Sequence, residues 1–212
     1  MGKRGILTVV SGFSGSGKGT LMKRMIEKYD NYALSISATT RAPREGEKHG
    51  VNYFFYSKEE FQECIDKDKF IEYANYVENS YGTPKEYVEE QLEAGKDVIL
   101  EIEIQGALKV KKDRPDTILM FVTPPSAEEL ERRLVGRGTE TPEVIASRLA
   151  RASEEAEGMD LYDYILVNDE IEACVDEMHH IISSHHALAV NNKSFIEKIK
   201  KEVAVFGKEN KI

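Results

Sequence analysis

The sequence predicts an α/β protein: a parallel sheet with helices on both faces, carrying an inserted β-rich lobe and a helical lid. Two observations lead there. Short apolar runs recur at residues 6–10, 98–100, 118–122 and 164–167, each separated from the next by charge-rich sequence with helical character. The first run passes through a Gly/Ser-rich turn at 11–17 straight into a segment with helical apolar spacing, so strand, loop and helix follow one another directly.

The helix expected over Lys18–Lys28 turns Leu21, Met22, Met25 and Ile26 toward the core. Further helix starts are marked by capping-box spacings at Ser57/Glu60, Thr83/Glu86 and Ser126/Glu129, with Pro84 at a first helical position, and by Thr141-Pro142. The α/β alternation breaks over residues 37–83, which hold Gly46, Gly50 and Gly82 and tyrosines at 53, 56, 73, 76 and 81; this is the inserted β-rich lobe. A second departure, residues 126–157, gathers Arg132, Arg133, Arg137, Arg148 and Arg151 around Gly136 and Gly138, the composition of a cationic lid. Residues 1–36, 84–125 and 158–190 are assigned to the core. The Lys-rich residues 191–212 are expected to form a loosely docked helix or a partly disordered tail.

With 29 basic against 38 acidic residues, the chain of 212 residues carries a net charge of −9. Nonspecific binding to nucleic acid or to an anionic membrane is disfavoured, and an anionic ligand must be met by a local cluster of cations. The run at 6–10 is too short to span a bilayer, so no membrane role is expected. Cys64 and Cys174 stand far apart without a Cys-x-x-Cys pattern, and no signal peptide is recognised, which points to a reducing cytoplasm. His179, His180, His185 and His186 form two adjacent pairs in an expected helix; a solvated face is the simpler reading than a metal site, and no role is assigned to them or to His49.

Gly12-Phe13-Ser14-Gly15-Ser16-Gly17-Lys18 matches G-x-x-x-x-G-K, in which backbone N–H groups wrap phosphates and the lysine neutralises the group being transferred. The alternative is a Gly-rich turn with no ligand, and the flanking strand and helix argue against it. Gly19 stands where Ser or Thr normally supplies a hydroxyl to Mg²⁺, and Thr20 follows. A metal held by ATP oxygens and water is therefore expected, because Mg²⁺ keeps much of its hydration shell.

Downstream blocks add specificity: Ser37-Ala-Thr-Thr-Arg41-Ala-Pro-Arg44-Glu-Gly46-Glu47, Gly50-Val-Asn-Tyr53-Phe, Phe70-Ile-Glu72-Tyr73, Tyr81-Gly82-Thr83 and Gly136-Arg137-Gly138-Thr139-Glu140. In order and spacing these resemble guanylate kinase, a family of P-loop nucleoside monophosphate kinases, from Gly12 to Asp169. The resemblance implies a P-loop NTPase fold and transfer of the γ-phosphoryl of ATP to GMP, with dGMP a further acceptor. Arg41 and Arg44 offer two planar forks to one phosphate and Tyr53 and Tyr81 offer hydroxyls; the resemblance assigns all four to the GMP phosphate. Guanine presents N1–H and its amino group as adjacent donors, which a carboxylate accepts together and adenine cannot match. Glu72 is the candidate, with Ser37, Thr83 and Glu101 implied at the same base; Thr83 equally suits a helix cap.

Glu101 and Glu103 lie two apart at the carboxyl end of a strand, where ligands of open α/β sheets bind. The resemblance gives Lys18, Arg133, Arg137 and Arg148 to the transferring phosphoryl group, Arg41 to the acceptor phosphate, and Asn168 to the surroundings of the adenine. The acceptor oxygen is already ionised near neutral pH, so no general base is required. Two other readings remain open at this stage. An interaction module of the guanylate-kinase-like type fits poorly with an intact phosphate loop, and a P-loop kinase of another metabolite fits poorly with the Tyr-rich insert.

Overall fold

The structure, a computed structural model, describes residues 4–76, 78–136 and 141–206. In chain order the elements are β1 (Leu7–Gly12), α1 (Lys18–Lys28), β2 (Tyr32–Leu34), β3 (Ala38–Thr39), β4 (Phe54–Phe55), α2 (Lys58–Asp66), β5 (Phe70–Tyr76), β6 (Asn79–Pro84), α3 (Lys85–Glu93), β7 (Asp97–Glu101), α4 (Ile104–Asp113), β8 (Ile118–Thr123), α5 (Ala127–Val135), α6 (Pro142–Ala156), β9 (Tyr164–Val167), α7 (Ile171–His185) and α8 (Lys193–Val203).

The main sheet has the order β2-β7-β1-β8-β9, and its paired strands are all parallel. Alternation along the strands explains why helices cover both faces. Leu7 and Val9 point to one side with Val98, Leu100, Leu119 and Phe121, where α3, α4 and α5 add Val88, Leu92, Ala107, Val110, Leu130 and Leu134. Ile6 and Val10 point to the other with Ile99, Ile118, Met120 and Val122, against Leu21, Met22 and Met25 of α1 and Val175, Met178 and Ile182 of α7. Each such side chain larger than alanine contributes about 1.5–3 kcal/mol when removed from water. Ile26 departs from expectation: it is 42% exposed, because α1 is buried along the narrower Leu21–Met22–Met25 stripe facing α7.

A second sheet, order β4-β3-β6-β5, is built from residues 38–84. It has its own small core in which Phe61 of α2 packs on Phe70 of β5 with ring centroids 4.6 Å apart, beside Ala38. The capping box at Ser57/Glu60 forms in full. At Ser126 the hydroxyl accepts from the Glu129 N–H, but the Glu129 carboxylate turns to Arg132 and Arg133 instead of closing the box. Thr141 caps α6 with Pro142 in its first turn. The pattern at Thr83/Glu86 is not a capping box. Pro84 ends β6 and precedes α3 without a side-chain cap, while the Thr83 hydroxyl is taken by Glu72.

His180 is exposed as expected, but His179, His185 and His186 are not a solvated face. His179 stacks on Tyr29 at 3.8 Å between centroids and shares a hydrogen bond with the Tyr32 hydroxyl, and His186 contacts the carboxylate of the buried Asp97 at 2.8 Å. They serve the packing of α7 on α1 and on the start of β7. In the tail, residues 193–203 take the helical alternative as α8, which leaves Phe195 and Val203 exposed. No described helix is long and apolar enough to cross a membrane.

Candidate active site

The parallel register brings four chain segments to one edge. Gly12 ends β1 beside Val122 of β8, Val10 pairs with Glu101 at the end of β7, and Asn168 follows β9 with its N–H donated to Thr123 O. This is the carboxyl edge of the sheet, where an α/β protein places its ligand. The loop between Gly12 and α1 needs two of its glycines for identifiable reasons. A Cβ on Gly12 would lie 2.1 Å from Val122 O, and Gly17 holds φ 89° as the residue preceding α1, with the Asn168 amide 2.5 Å from where its Cβ would be. The start of α1 is thus bare backbone N–H aimed into the loop, a ready anion site.

Other loop residues contribute through the backbone. Phe13 is buried, packed edge-on against Phe121 at 4.9 Å, and Ser16 is buried with its hydroxyl lacking a hydrogen-bond partner. Lys18 folds over the loop, donating from Nζ to Gly12 O at 2.5 Å and Phe13 O at 3.0 Å. The Asn168 amide donates to Ser16 O at 2.8 Å from a buried position. In this arrangement its side chain braces the loop, a task the sequence does not advertise.

From above, α5 and α6 supply cations. Arg133 reaches Ser16 O with Nη1 at 3.5 Å while Glu129 holds its Nε at 2.6 Å, and Arg148 donates to the Ser14 hydroxyl at 3.1 Å. The salt links from Arg132 and Arg133 pull the Glu129 carboxyl down to about 2. Arg151 pairs with Glu103 and Glu155, both at 2.9 Å, so Glu103 is tied to α6 rather than presented to the cleft as Glu101 is. Leu130 and Leu134 anchor α5 in the main core. Arg137, with Gly138, Thr139 and Glu140, lies outside the described residues.

The second sheet assembles a separate arginine cluster. Arg41 follows β3 and stacks over Tyr53 and Phe55, its guanidinium carbon 5.4 Å and 5.8 Å from the ring centres. Its Nη2 donates to both oxygens of Glu47 at 2.9 Å, and the same carboxylate accepts the Arg44 N–H at 2.7 Å. That N–H first, and Arg41 second, hold the Glu47 carboxyl below its ordinary range against the effect of burial. Tyr81, opposite Thr39 in the register, lies 6.1 Å from Tyr53 between ring centres. Arg44 itself is exposed. Glu47 is the residue that sequence reasoning left without a role; a carboxylate six positions after Arg41 and three after Arg44 was the available signal.

Deeper in this lobe, Glu72 of β5 is 5% exposed and accepts the Thr83 hydroxyl at 2.7 Å. Burial raises its pKa, partly offset by Thr83 and by Lys109. Ser37 stands at the entrance of β3, where its carbonyl accepts the Phe54 N–H. Glu101 ends β7 opposite Val10 of β1 in the register. Although Glu101 keeps solvent contact at the strand end, the protein mass around its carboxyl dominates and raises its pKa; Lys18 opposes this and Glu103 adds to it.

The expected position for a hydroxyl on magnesium carries none. Gly19 offers no oxygen although a Cβ there would meet open space, and no cluster of three or more ligating side chains occurs among the described residues.

A phosphate loop on one side of a cleft and a second, arginine-based anion site on the other define a P-loop kinase of a phosphorylated small molecule. Comparison with known proteins makes this specific: the guanylate kinase family model matches residues 4–185. The chain belongs to the guanylate kinase family. It is 49% identical over 203 residues to the guanylate kinase of Halalkalibacterium halodurans, covering 96% of this chain and 98% of that one. It is 50% identical over 202 residues to that of Clostridioides difficile, covering 95% and 98%. Among solved structures, the guanylate kinase of Anaplasma phagocytophilum matches with a TM-score of 0.68 at 33% identity, covering 86% of this chain and 87% of that one.

Proposed function

We propose that the chain transfers the γ-phosphoryl group of ATP to GMP, giving ADP and GDP, and that it accepts dGMP as well. The observation that carries the choice of acceptor is the buried Glu72–Thr83 pair set beneath the Arg41 site. A carboxylate accepting two adjacent donors recognises the guanine edge, while Arg41, Arg44, Tyr53 and Tyr81 take the phosphate of the same nucleotide. Ser37 and Glu101 complete the walls around the base.

On the donor side the N–H groups at the start of α1 hold the phosphates of ATP, and Lys18 stabilises the charge on the group in flight. Arg133 and Arg148, already at the loop, and Arg137 from the segment between α5 and α6, share that task. Asn168, through its brace on Ser16, lies beside the nucleotide. Magnesium carried in with ATP would add neutralisation of the phosphate charge, with Gly19 giving it no side-chain oxygen from the loop. The acceptor oxygen of GMP is ionised near neutral pH, so Glu101 need not act as a base. Closure of the expected lid, residues 126–157, would exclude water that would otherwise accept the phosphoryl group. We place the protein in a reducing cytoplasm: Cys64 and Cys174 are free thiols, and burial pushes Cys174 up to about 11.

ADP release measured over GMP, dGMP, AMP, CMP and UMP tests the proposal. Turnover of GMP and dGMP well above the rest is expected, and AMP turned over as well as GMP defeats it. Glu72→Gln is expected to lose selectivity for GMP while ATP binding persists; unchanged GMP kinetics would remove the role given to Glu72.

A further inference from the structure

The first turn of α4 presses against Glu72. None of the helix's own residues in that turn is acidic, and its cap residue, Glu103, sends its carboxylate to Arg151. Glu72, arriving from β5, therefore supplies negative charge at the positive end of this helix. Its Oε1 accepts Thr83, and its Oε2 lies against Gly106. A Cβ built on Gly106 would come within 3.0 Å of Oε2, 3.5 Å of the Glu72 Cδ and 3.3 Å of the Ile102 Cδ1. An oxygen and a methyl group, each at a side-chain end, bracket the position, so an added Cβ would displace the Glu72 carboxylate by a few tenths of an ångström.

Nothing in the backbone asks for glycine at 106. The residue is helical and has no left-handed φ. Within a helix glycine is disfavoured relative to alanine. Its presence is explained by what the missing side chain admits. Resting on the proposed GMP reading, we infer that Gly106 is a positioning residue for acceptor recognition: the empty Cβ position is the seat of the Glu72 carboxylate and sets where its oxygens meet the guanine edge. Lys109, one turn further along α4, closes the same wall with its ammonium 4.4 Å from the Tyr73 ring centre. It draws the Glu72 carboxyl toward its charged form, against the effect of burial.

The test uses the full chain and the variants Gly106→Ala, Glu72→Asp and the double substitution, with KM for GMP and for ATP, kcat, Tm and the preference for GMP over IMP measured in each. IMP lacks the exocyclic amino group, so that preference reads the aim of the carboxylate. Gly106→Ala is expected to raise the KM for GMP about tenfold and to shrink the preference over IMP, with the KM for ATP within about twofold and Tm not lowered. Glu72→Asp withdraws the carboxylate by one methylene and makes room, so the double variant should recover part of the loss rather than multiply it.

An unchanged KM for GMP in Gly106→Ala, a lowered Tm with both KM values altered, or strictly multiplicative losses would each overturn the inference. GMP turnover by the unaltered protein is measured alongside. Its absence would overturn the functional reading and this inference with it, whereas normal turnover with an unaffected Gly106→Ala overturns this inference alone.

Discussion

The two sites proposed to hold phosphate are made differently. On the main sheet the phosphate loop is a continuous stretch from Gly12 to Thr20, shaped by glycine backbone and the start of α1. On the second sheet the corresponding site is drawn from separate segments: Arg41 after β3, Glu47 in the following loop, Tyr53 before β4 and Tyr81 on β6. Backbone N–H groups on a helix are oriented before any ligand arrives. Side chains must be held, and here stacking on Tyr53 and Phe55 and the Glu47 carboxylate hold Arg41. The loop should therefore depend on few individual side chains for shape, and the lobe on many.

The largest effect is expected where a side chain does act in the loop. Lys18→Met should lower kcat about a thousandfold with Tm nearly unchanged, since it removes charge stabilisation in the transition state and little packing. Steady-state ADP release and thermal melts check it; a loss of less than about tenfold would shift the burden to the arginines of α5 and α6. Next in size, Arg41→Met should raise the KM for GMP about a hundredfold while the KM for ATP stays put, because a charge-assisted pair to phosphate is lost on one side of the cleft only. Glu47→Gln should give the same pattern at about a tenth of that size, as the guanidinium loses its orienting partner but not its charge.

Legibility in the sequence follows the same division. The core strands and the Lys18–Lys28 helix could be read from local apolar runs and the glycine loop, since each depends on near neighbours in the chain. Arg41, Tyr53, Glu72 and Tyr81 could be recognised as motif residues, but their partners could not. That Thr83 serves Glu72 instead of capping α3 depends on the pairing of β5 with β6, and a spacing rule cannot see across a sheet. The Asn168 brace spans from residue 168 to residue 16, and Gly106 meets Glu72 from a different element; neither contact has a local signature. His179 and His186 were misjudged for the same reason, their partners Tyr29, Tyr32 and Asp97 being distant in sequence.

A pH series probes the deeper part of the lobe. Burial raises the Glu72 pKa, so the folded state is penalised as pH rises through the interval between its ordinary and its raised value. Recognition has the opposite sign: the ionised carboxylate accepts the guanine donors, so kcat/KM for GMP should fall as pH drops through that interval. Glu72→Gln should abolish this step, and persistence of the step would assign it to Glu101, whose pKa burial also raises.

The smallest effect is expected at Glu129, and it bears most directly on the contrast between the two sites. Glu129 holds Arg132 and Arg133 much as Glu47 holds Arg41, but Arg133 meets the loop at Ser16 O across a long 3.5 Å. Glu129→Gln keeps the N–H bond to Ser126 and loses the charge, so the KM for ATP should rise only about two- to threefold, the scale of an accessible ion pair. Its folded pKa of about 2 lies below the ordinary carboxylate value. The stabilisation is therefore complete above that ordinary value and is lost as pH falls toward about 2, so the Tm difference between the two proteins should narrow over that range. If Glu129→Gln harmed ATP binding as severely as Glu47→Gln harms GMP binding, the phosphate loop would prove as dependent on side-chain braces as the lobe, and the distinction between a site made by backbone and a site made by side chains would fail.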